Sequence, residues 1–109
     1  MEQQARVLPD EDGVRVIRCV GDFDQDTLQP LDQVCRDAVD APGVRRIVLD
    51  VTEVDFADSS MLNLMVRVLR TGRLVVAGPV PPRLGRPLDL TQVRAVLPTA
   101  DGIEAARTL

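Results

Sequence analysis

The sequence of 109 residues contains no histidine, tryptophan, tyrosine or lysine, so all 13 of its basic residues are arginine. Without an imidazole or a lysine amine, the chain lacks the commonest general base, histidine metal ligands and the amine that Schiff-base chemistry requires. Two phenylalanines are its only aromatic residues, too few to provide a stacking surface for nucleotide bases. These absences exclude histidine-based and lysine-based catalysis and sites that bind metal through histidine.

Charge and hydropathy exclude further classes of protein. The 17 acidic residues outnumber the basic ones and give a net charge of -4, which is not the electrostatic footprint of a nucleic-acid binder. No apolar run approaches the roughly 20 residues that span a bilayer. The first residues, MEQQARVLPDED, have no apolar segment typical of a signal peptide. We therefore expect a cytoplasmic protein that binds neither nucleic acid nor membrane.

Composition and cysteine content predict a single compact domain over residues 1–109. Apolar residues make up 45% of the chain and charged residues 28%, as in globular proteins. Cys19 and Cys35 are too few and too scattered for a disulfide framework or a zinc site, so we expect two buried thiols. No metal and no cofactor is expected.

Hydrophobic periodicity predicts alternating strands and helices. Strands are expected over residues 14–20, 46–51, 73–77 and 93–97, with an edge strand over 5–8 that pairs with 14–20 through the turn PDEDG. Helices are expected over residues 28–41 with Thr27 as N-cap, over 59–70 and 82–90, and over 101–108. This order is typical of an α/β protein with a mixed, mainly parallel sheet of about four to five strands and helices packed on it.

A run of acidic residues follows the first long predicted strand, with Asp22, Asp24 and Asp26 in alternate positions. An EF-hand calcium loop would need glycine at its sixth position and glutamate at its twelfth, where this chain has Thr27 and Gln33. Calcium binding is therefore excluded. The carboxylates are better explained as a solvated loop that presents negative charge to a basic partner.

Asp58, Ser59 and Ser60 join a predicted strand to a predicted helix, and two interpretations of this junction are open. Asp58 or Ser59 could serve only as a helix N-cap, worth about 1 kcal/mol. Alternatively, a kinase could phosphorylate the serine, because the N-terminus of a helix tolerates an added anion. Phosphorylation would add roughly -1.5 to -2 charges beside Asp55 and Asp58 without unfolding the domain.

The helix that follows is unusually apolar, because its hydrophobic residues cover an arc of about 200° at the helical period. Neighbouring helices could flank this arc on both sides. Alternatively, Met61, Leu64 or Val68 could contribute to an exposed partner surface beside Ser59, where a flexible methionine suits binding.

Taken in order, these segments resemble a STAS domain, specifically the bacterial anti-sigma factor antagonists. The resemblance rests on VRVIRCV followed by GDFD, on RIVLDV, on VDFADSSMLNLMVRVLR, on RLVVAG and on LDLTQVRAVLPTADGIEAA, and it runs from about Val14 to Ala106. Its most specific part is the strand that leads into Asp58, Ser59 and Ser60 and then an apolar helix.

The resemblance implies a small mixed sheet with helices on one side and a role in partner switching. The partner would be an anti-sigma factor that is also a serine kinase of the histidine-kinase-like ATPase fold, and ATP would be bound by that partner. Phosphorylation of Ser59 would end the binding, and a serine phosphatase would restore it. The implied partner-binding residues lie in two loops and the start of the following helix: Asp22, Asp24, Thr27, Phe56, Asp58, Ser60, Met61 and Leu64.

The chain departs from the family pattern at Met61, where the family usually has glycine. Glycine would let the backbone of a kinase approach closely, whereas methionine would add bulk. Either the partner has adapted, or Ser59 is not a substrate and the domain is a scaffold or ligand-sensing subunit of a larger complex. An enzyme is the least favoured class, because no residue provides the activating neighbour that a nucleophilic serine needs.

Overall fold

The computed structural model of the protein describes residues 4–109. A short 3₁₀ helix covers Val93–Val96. In chain order the remaining elements are β1 (Ala5–Val7), β2 (Val14–Phe23), α1 (Gln29–Asp40), β3 (Arg46–Ala57), α2 (Ser59–Leu69), β4 (Leu74–Ala77), α3 (Pro82–Leu90), β5 (Thr99–Ala100) and α4 (Ile103–Thr108). Over residues 4–109, none of these helices has the length and apolar character needed to cross a membrane.

The five strands form one sheet in the order β1-β2-β3-β4-β5. The edge strand β1 is antiparallel to β2, as its short turn requires, and the other neighbours are parallel. Val16, Val48 and Val75 lie side by side at the centre of the sheet. Because this centre is covered on both faces, its strands are almost continuously apolar. The predicted α/β fold with a mixed, mainly parallel sheet is confirmed.

Helices α1, α2 and α3 share one face of the sheet. Their apolar residues join the same core cluster as Ile17, Leu49 and Val76. The connection between two neighbouring parallel strands is almost always right-handed. Because β2, β3, β4 and β5 follow one another in order across the sheet, the helices that connect them lie on the same face. The short helix α4 packs against the opposite face, where Ala106 joins the cluster of Val16. The expectation of helices on one side is therefore wrong for α4 alone.

The strands β2 and β3 extend further than their sequences predict, to Phe23 and Ala57 respectively. The segment VTEVDFAD (51–58), between the strand predicted over 46–51 and the helix predicted over 59–70, is expected to be a loop, but its residues 51–57 are strand. The alternation of buried and exposed residues that is typical of a strand is absent here. Val51, Val54 and Ala57 are instead buried at every third position, and the register with β2 shifts twice in this part of the strand. A β-bulge changes which face a side chain occupies, so strict alternation fails as a signal.

Two other predictions are wrong in detail. Residues 93–96 form a 3₁₀ helix, and the last strand is displaced to Thr99–Ala100, because a short apolar run does not distinguish strand from helical turn. Helix α1 begins at Gln29 with Leu28 as N-cap, because the Thr27 hydroxyl bonds within the preceding loop. The predicted edge strand, the helix over 82–90 and the central strands are confirmed.

Candidate functional site

The carboxyl ends of β2 and β3 bring the two predicted loops together at one edge of the sheet. Phe23 is paired with Ala57, and Asp22 with Phe56. Beyond this pair, the backbone amide of Asp58 donates a hydrogen bond of 3.1 Å to the carbonyl oxygen of Phe23. The acidic loop after β2 and the start of α2 therefore form one connected surface.

Hydrogen bonds within the acidic loop hold its backbone in place. The Oδ1 atom of Asp24 accepts from the amides of Asp26 at 2.9 Å and Thr27 at 3.0 Å. The Thr27 hydroxyl donates to the carbonyl of Asp22 at 2.8 Å and accepts from the amide of Asp24 at 3.0 Å. This role for Thr27 was not predicted, although an Asp-x-x-Thr spacing is compatible with such a turn. The exposed carboxylates of Asp22 and Asp26 thus project from an ordered loop.

Asp58 is the N-cap of α2. Its Oδ1 atom accepts a hydrogen bond of 2.8 Å from the amide of Ser60, and its backbone is extended, as the position requires. Ser59 is the first helical residue and is exposed. The capping interpretation is therefore confirmed for Asp58, and capping leaves the Ser59 side chain accessible.

The apolar face of α2 is buried against the sheet and α1. Met61 is 0% exposed, Leu64 1% and Val68 3%, and all three belong to the main core cluster. The hypothesis that these side chains form an exposed partner surface is therefore wrong, because their helical spacing directs them inward. Met61 and Leu64 are therefore too deeply buried for the binding roles predicted for them. The wide apolar arc of α2 is explained by the sheet and α1, which cover it.

Phe56 is the exposed aromatic side chain of the site. It is 45% exposed, whereas the other phenylalanine, Phe23, is 0% exposed. Strand β3 pairs with β4 only as far as Asp50, so Phe56 lies on a two-stranded projection of β2 and β3. A lone exposed apolar side chain is common on protein surfaces, so Phe56 by itself does not mark an interaction site.

The site is strongly acidic. The end of β2 and its loop contribute three carboxylates, the end of β3 contributes two and the cap of α2 contributes one, and none of these segments contains an arginine: Asp22, Asp24, Asp26, Glu53, Asp55 and Asp58. We call these six residues the acidic rim. Within the part of the chain that the structure describes, no group of three or more cysteine or acidic side chains could hold a metal ion.

Both cysteines are buried in the core, as the sequence predicts. Burial raises the pKa of the Cys35 thiol to about 12, with the nearby Asp32 carboxylate acting in the same direction. Burial likewise raises the pKa of Cys19 well above its usual range. Both thiols are therefore protonated near neutral pH and take no part in the site.

Comparison with known proteins identifies the family. The family model described as "Mlab, STAS domain" matches residues 8–98. An anti-sigma factor antagonist from Mycobacterium paratuberculosis has a similar crystal structure, with 26% identity and a TM-score of 0.78, over 95% of this chain and 90% of that one.

Two structures of the antagonist SpoIIAA share the fold at lower identity. The unphosphorylated form has 18% identity and a TM-score of 0.76, over 96% of this chain and 97% of that one. The phosphorylated form, from Bacillus, has 16% identity and a TM-score of 0.70, over 95% and 97%. With the family model spanning well over half of the sequence, the chain belongs to the STAS domain family and has the fold of anti-sigma factor antagonists.

Proposed function

We propose that this protein is an anti-sigma factor antagonist controlled by phosphorylation of Ser59. Unphosphorylated, it binds an anti-sigma factor that is also a serine kinase of the histidine-kinase-like ATPase fold, and the sigma factor is released. The observation that carries the proposal is the position of Ser59, which is exposed at the first residue of α2 beside its Asp58 cap and the acidic loop.

Electrostatics explain how phosphorylation would end binding without changing the fold. A phosphate on Ser59 would add roughly -1.5 to -2 charges to a rim that already holds six carboxylates. The positive end of the α2 dipole would stabilise this anion. A partner whose active site binds ATP phosphates and the acidic rim at the same time would be repelled by the product of its own reaction.

The structure removes the main sequence argument against Ser59 as a substrate. Methionine at position 61 would hinder a kinase only if its side chain reached the surface, and it is 0% exposed. The surface at the start of α2 therefore carries Ser59 and the exposed Asn63 without the methionine between them. The competing idea of a scaffold or ligand-sensing subunit was based on Met61, so it loses its specific support.

The docking surface that we infer combines charge with one apolar anchor. The rim carboxylates suit a partner with arginine or lysine side chains, and the ring of Phe56 suits an apolar pocket among them. Asp22, Asp24 and Thr27 would act from one loop, and Asp58 and Ser60 from the other. In this proposal the protein acts by binding, the partner kinase supplies ATP, and a serine phosphatase restores the binding-competent form.

Phosphorylation by candidate partners tests the proposal directly. The wild-type protein, Ser59→Ala and the matched control Ser60→Ala would be incubated with purified anti-sigma kinases and Mg-ATP. Phosphate would then be located by fragmentation mass spectrometry. We expect phosphate on Ser59 in the wild type and in Ser60→Ala, and none in Ser59→Ala. A kinase that binds the protein tightly but leaves Ser59 unmodified would overturn the switch.

A further inference from the structure

Arginine is concentrated on one surface at the side of the acidic rim. Helix α3 and the 3₁₀ helix after it carry Arg83, Arg86 and Arg94 against a single acidic residue, Asp89. The chain as a whole has 13 basic and 17 acidic residues. Acidic and basic residues are therefore unevenly distributed: the protein has a basic surface although its net charge is negative.

Two arginines and one exposed leucine form a stripe along α3, which we call the basic stripe. Arg83, Arg86 and Leu90 are spaced by three and four residues, so they lie on the same side of the helix, and all three are exposed. Leu90 is 79% exposed. Within residues 4–109, no ion pair involves Arg83 or Arg86.

Arg94, on the 3₁₀ helix, lies over the side of α3 that carries Gly85 and Asp89, which is turned away from Arg83 and Leu90. A Cβ atom at Gly85 would stand 2.8 Å from Nη1 of Arg94, so the guanidinium lies directly over α3. The same Nη1 atom is 3.5 Å from Oδ2 of Asp89, and both side chains of that pair are largely exposed. A pair of this kind contributes little stability, which leaves Arg94 available to another carboxylate.

The first residue of the basic stripe, Arg83, lies next to the acidic rim. Helix α3 follows β4, so it starts at the same edge of the sheet as the loops after β2 and β3. Asp55 and Arg83 line the same open depression, of about 620 Å³, together with Val54 and Pro82. From there α3 extends about 1.5 Å per residue, which places Leu90 about 10 Å beyond Arg83.

We propose that a second copy of this chain docks here, with the acidic rim of each copy against the basic stripe of the other. Two adjacent patches of opposite charge are self-complementary under a two-fold axis, so both contacts form at once and the assembly closes as a dimer. Phe56 and Leu90, one in each patch, would be covered in the contact. An acidic partner protein or an anionic membrane would use the stripe alone and leave the rim unmatched.

This inference goes beyond the proposed function and does not depend on phosphorylation. It adds a self-associated state in which the rim is covered, so that only the monomer presents Ser59 to a kinase. The dimer would compete with partner binding at high protein concentration.

Sedimentation equilibrium of the full chain, with neither kinase nor ATP present, tests the dimer. We expect concentration-dependent dimers whose dissociation constant rises about tenfold between 0.1 and 1 M NaCl, because salt screens exposed charges. Arg83→Glu/Arg86→Glu and Asp22→Arg/Asp26→Arg/Asp55→Arg should each be monomeric, because the first makes both patches acidic and the second leaves the rim without net negative charge. An equimolar mixture of the two variants should form dimers again, because the unchanged rim of one then meets the unchanged stripe of the other and the second contact is not repulsive. Arg6→Glu/Arg70→Glu, a matched change of charge elsewhere, should dimerise like the wild type.

Circular dichroism would establish that each variant is folded. A wild-type protein that stays monomeric at every concentration and salt would overturn the proposal, as would two monomeric variants that do not associate when mixed. Binding of a monomeric wild type to phosphatidylglycerol vesicles would also overturn it, in favour of a membrane as the occupant of the stripe.

Discussion

The backbone amide of Asp58 donates a hydrogen bond of 3.1 Å to the carbonyl oxygen of Phe23. This bond joins the last residue of β2 to the cap of α2. The loop that carries Asp22 and the helix that begins at Ser59 are consequently parts of one rigid edge. A charge placed on Ser59 therefore lies on the same surface as the neighbouring acidic loop.

Replacing Ser59 separates the effect of charge from the loss of the hydroxyl. Ser59→Asp should weaken binding to the anti-sigma partner about tenfold or more, because it adds negative charge to the acidic rim. Ser59→Ala should bind like the wild type. Isothermal titration calorimetry would measure both affinities. Asn63→Asp, one turn along the exposed side of α2, is the charge control and should have a smaller effect. Equal affinities for the Asp and Ala variants would contradict the mechanism.

Removing the cap of α2 should destabilise the domain. Asp58→Ala leaves the amide of Ser60 without its 2.8 Å partner, which should lower the free energy of unfolding by about 1 kcal/mol. The corresponding fall in Tm is about 5 °C, measurable by thermal denaturation. Asp58→Asn keeps an oxygen acceptor and should retain most of the stability. If Asp58→Ala and Asp58→Asn melted together, the cap would not explain the role of Asp58 in stability.

Truncation of Phe56 should mainly weaken partner binding, whereas truncation of Phe23 should mainly lower the stability of the fold. Phe56→Ala should change the free energy of unfolding by less than about 1 kcal/mol, because the ring is 45% exposed, but it should weaken partner binding by more than about 1 kcal/mol. Phe23→Ala removes a fully buried ring and should lose about 3–5 kcal/mol of stability. Urea denaturation and titration with the partner would measure the two quantities. Unchanged partner affinity in Phe56→Ala would exclude the proposed anchor.

Restoring the glycine that is usual in the family should be harmful here. Met61→Gly empties a buried position, which costs about 2–5 kcal/mol, and it adds the helix penalty of glycine, about 1 kcal/mol. Asn63→Gly, at an exposed position in the same helix, should cost less than about 1 kcal/mol. Urea denaturation should separate the two variants clearly. Similar losses in both would mean that Met61 is not a core residue.

Alkaline pH should destabilise the protein through its two cysteines. The folded state holds the pKa of Cys35 at about 12, above its ordinary value of 9.0, so unfolding releases protons once the pH exceeds that ordinary value. The free energy of unfolding should then fall by about 1.4 kcal/mol per thiol for each pH unit above 9. With no tyrosine or lysine in the chain, no other side chain ordinarily titrates between pH 9 and 11.

Urea denaturation at pH 8, 9 and 10 would measure this dependence. Cys19→Ala/Cys35→Ala should be less stable at pH 8, because it leaves small cavities, but its stability should be nearly constant up to pH 10. A double variant with the same pH dependence as the wild type would show that other groups are responsible.

The order of strands and helices could be predicted from hydrophobic periodicity, because the central strands and α2 are bounded by clear turn residues. Gly72, for example, follows α2 with a φ of +77°, a conformation that glycine adopts readily. The length of β3 could not be predicted. Its last six residues are buried at every third position after a shift of register, and such a shift depends on the neighbouring strand.

The candidate site was partly predictable for a similar reason. Ser59 and Asp58 could be located from the residues at a strand-to-helix junction, and their accessibility follows from the capping geometry. The direction of the Met61 side chain could not be deduced from its type, because a methionine near the start of a helix suits both a core and a surface. Thr27 resembled a helix cap, but its hydroxyl bonds to the preceding loop. Packing against the sheet decided the outcome for Met61, whereas local hydrogen bonds decided it for Thr27 and Asp58.

The projection of β2 and β3 beyond the end of β4 bears on how tightly a partner can bind. Its backbone is already fixed by strand pairing up to Phe23 and Ala57 and by the Asp24 and Thr27 hydrogen bonds. A flexible loop would lose about 1–2 kcal/mol of conformational entropy for each residue ordered on binding, and this preorganised surface avoids most of that loss. A partner could therefore bind with useful affinity through a modest contact area, and a single phosphate could still reverse that binding.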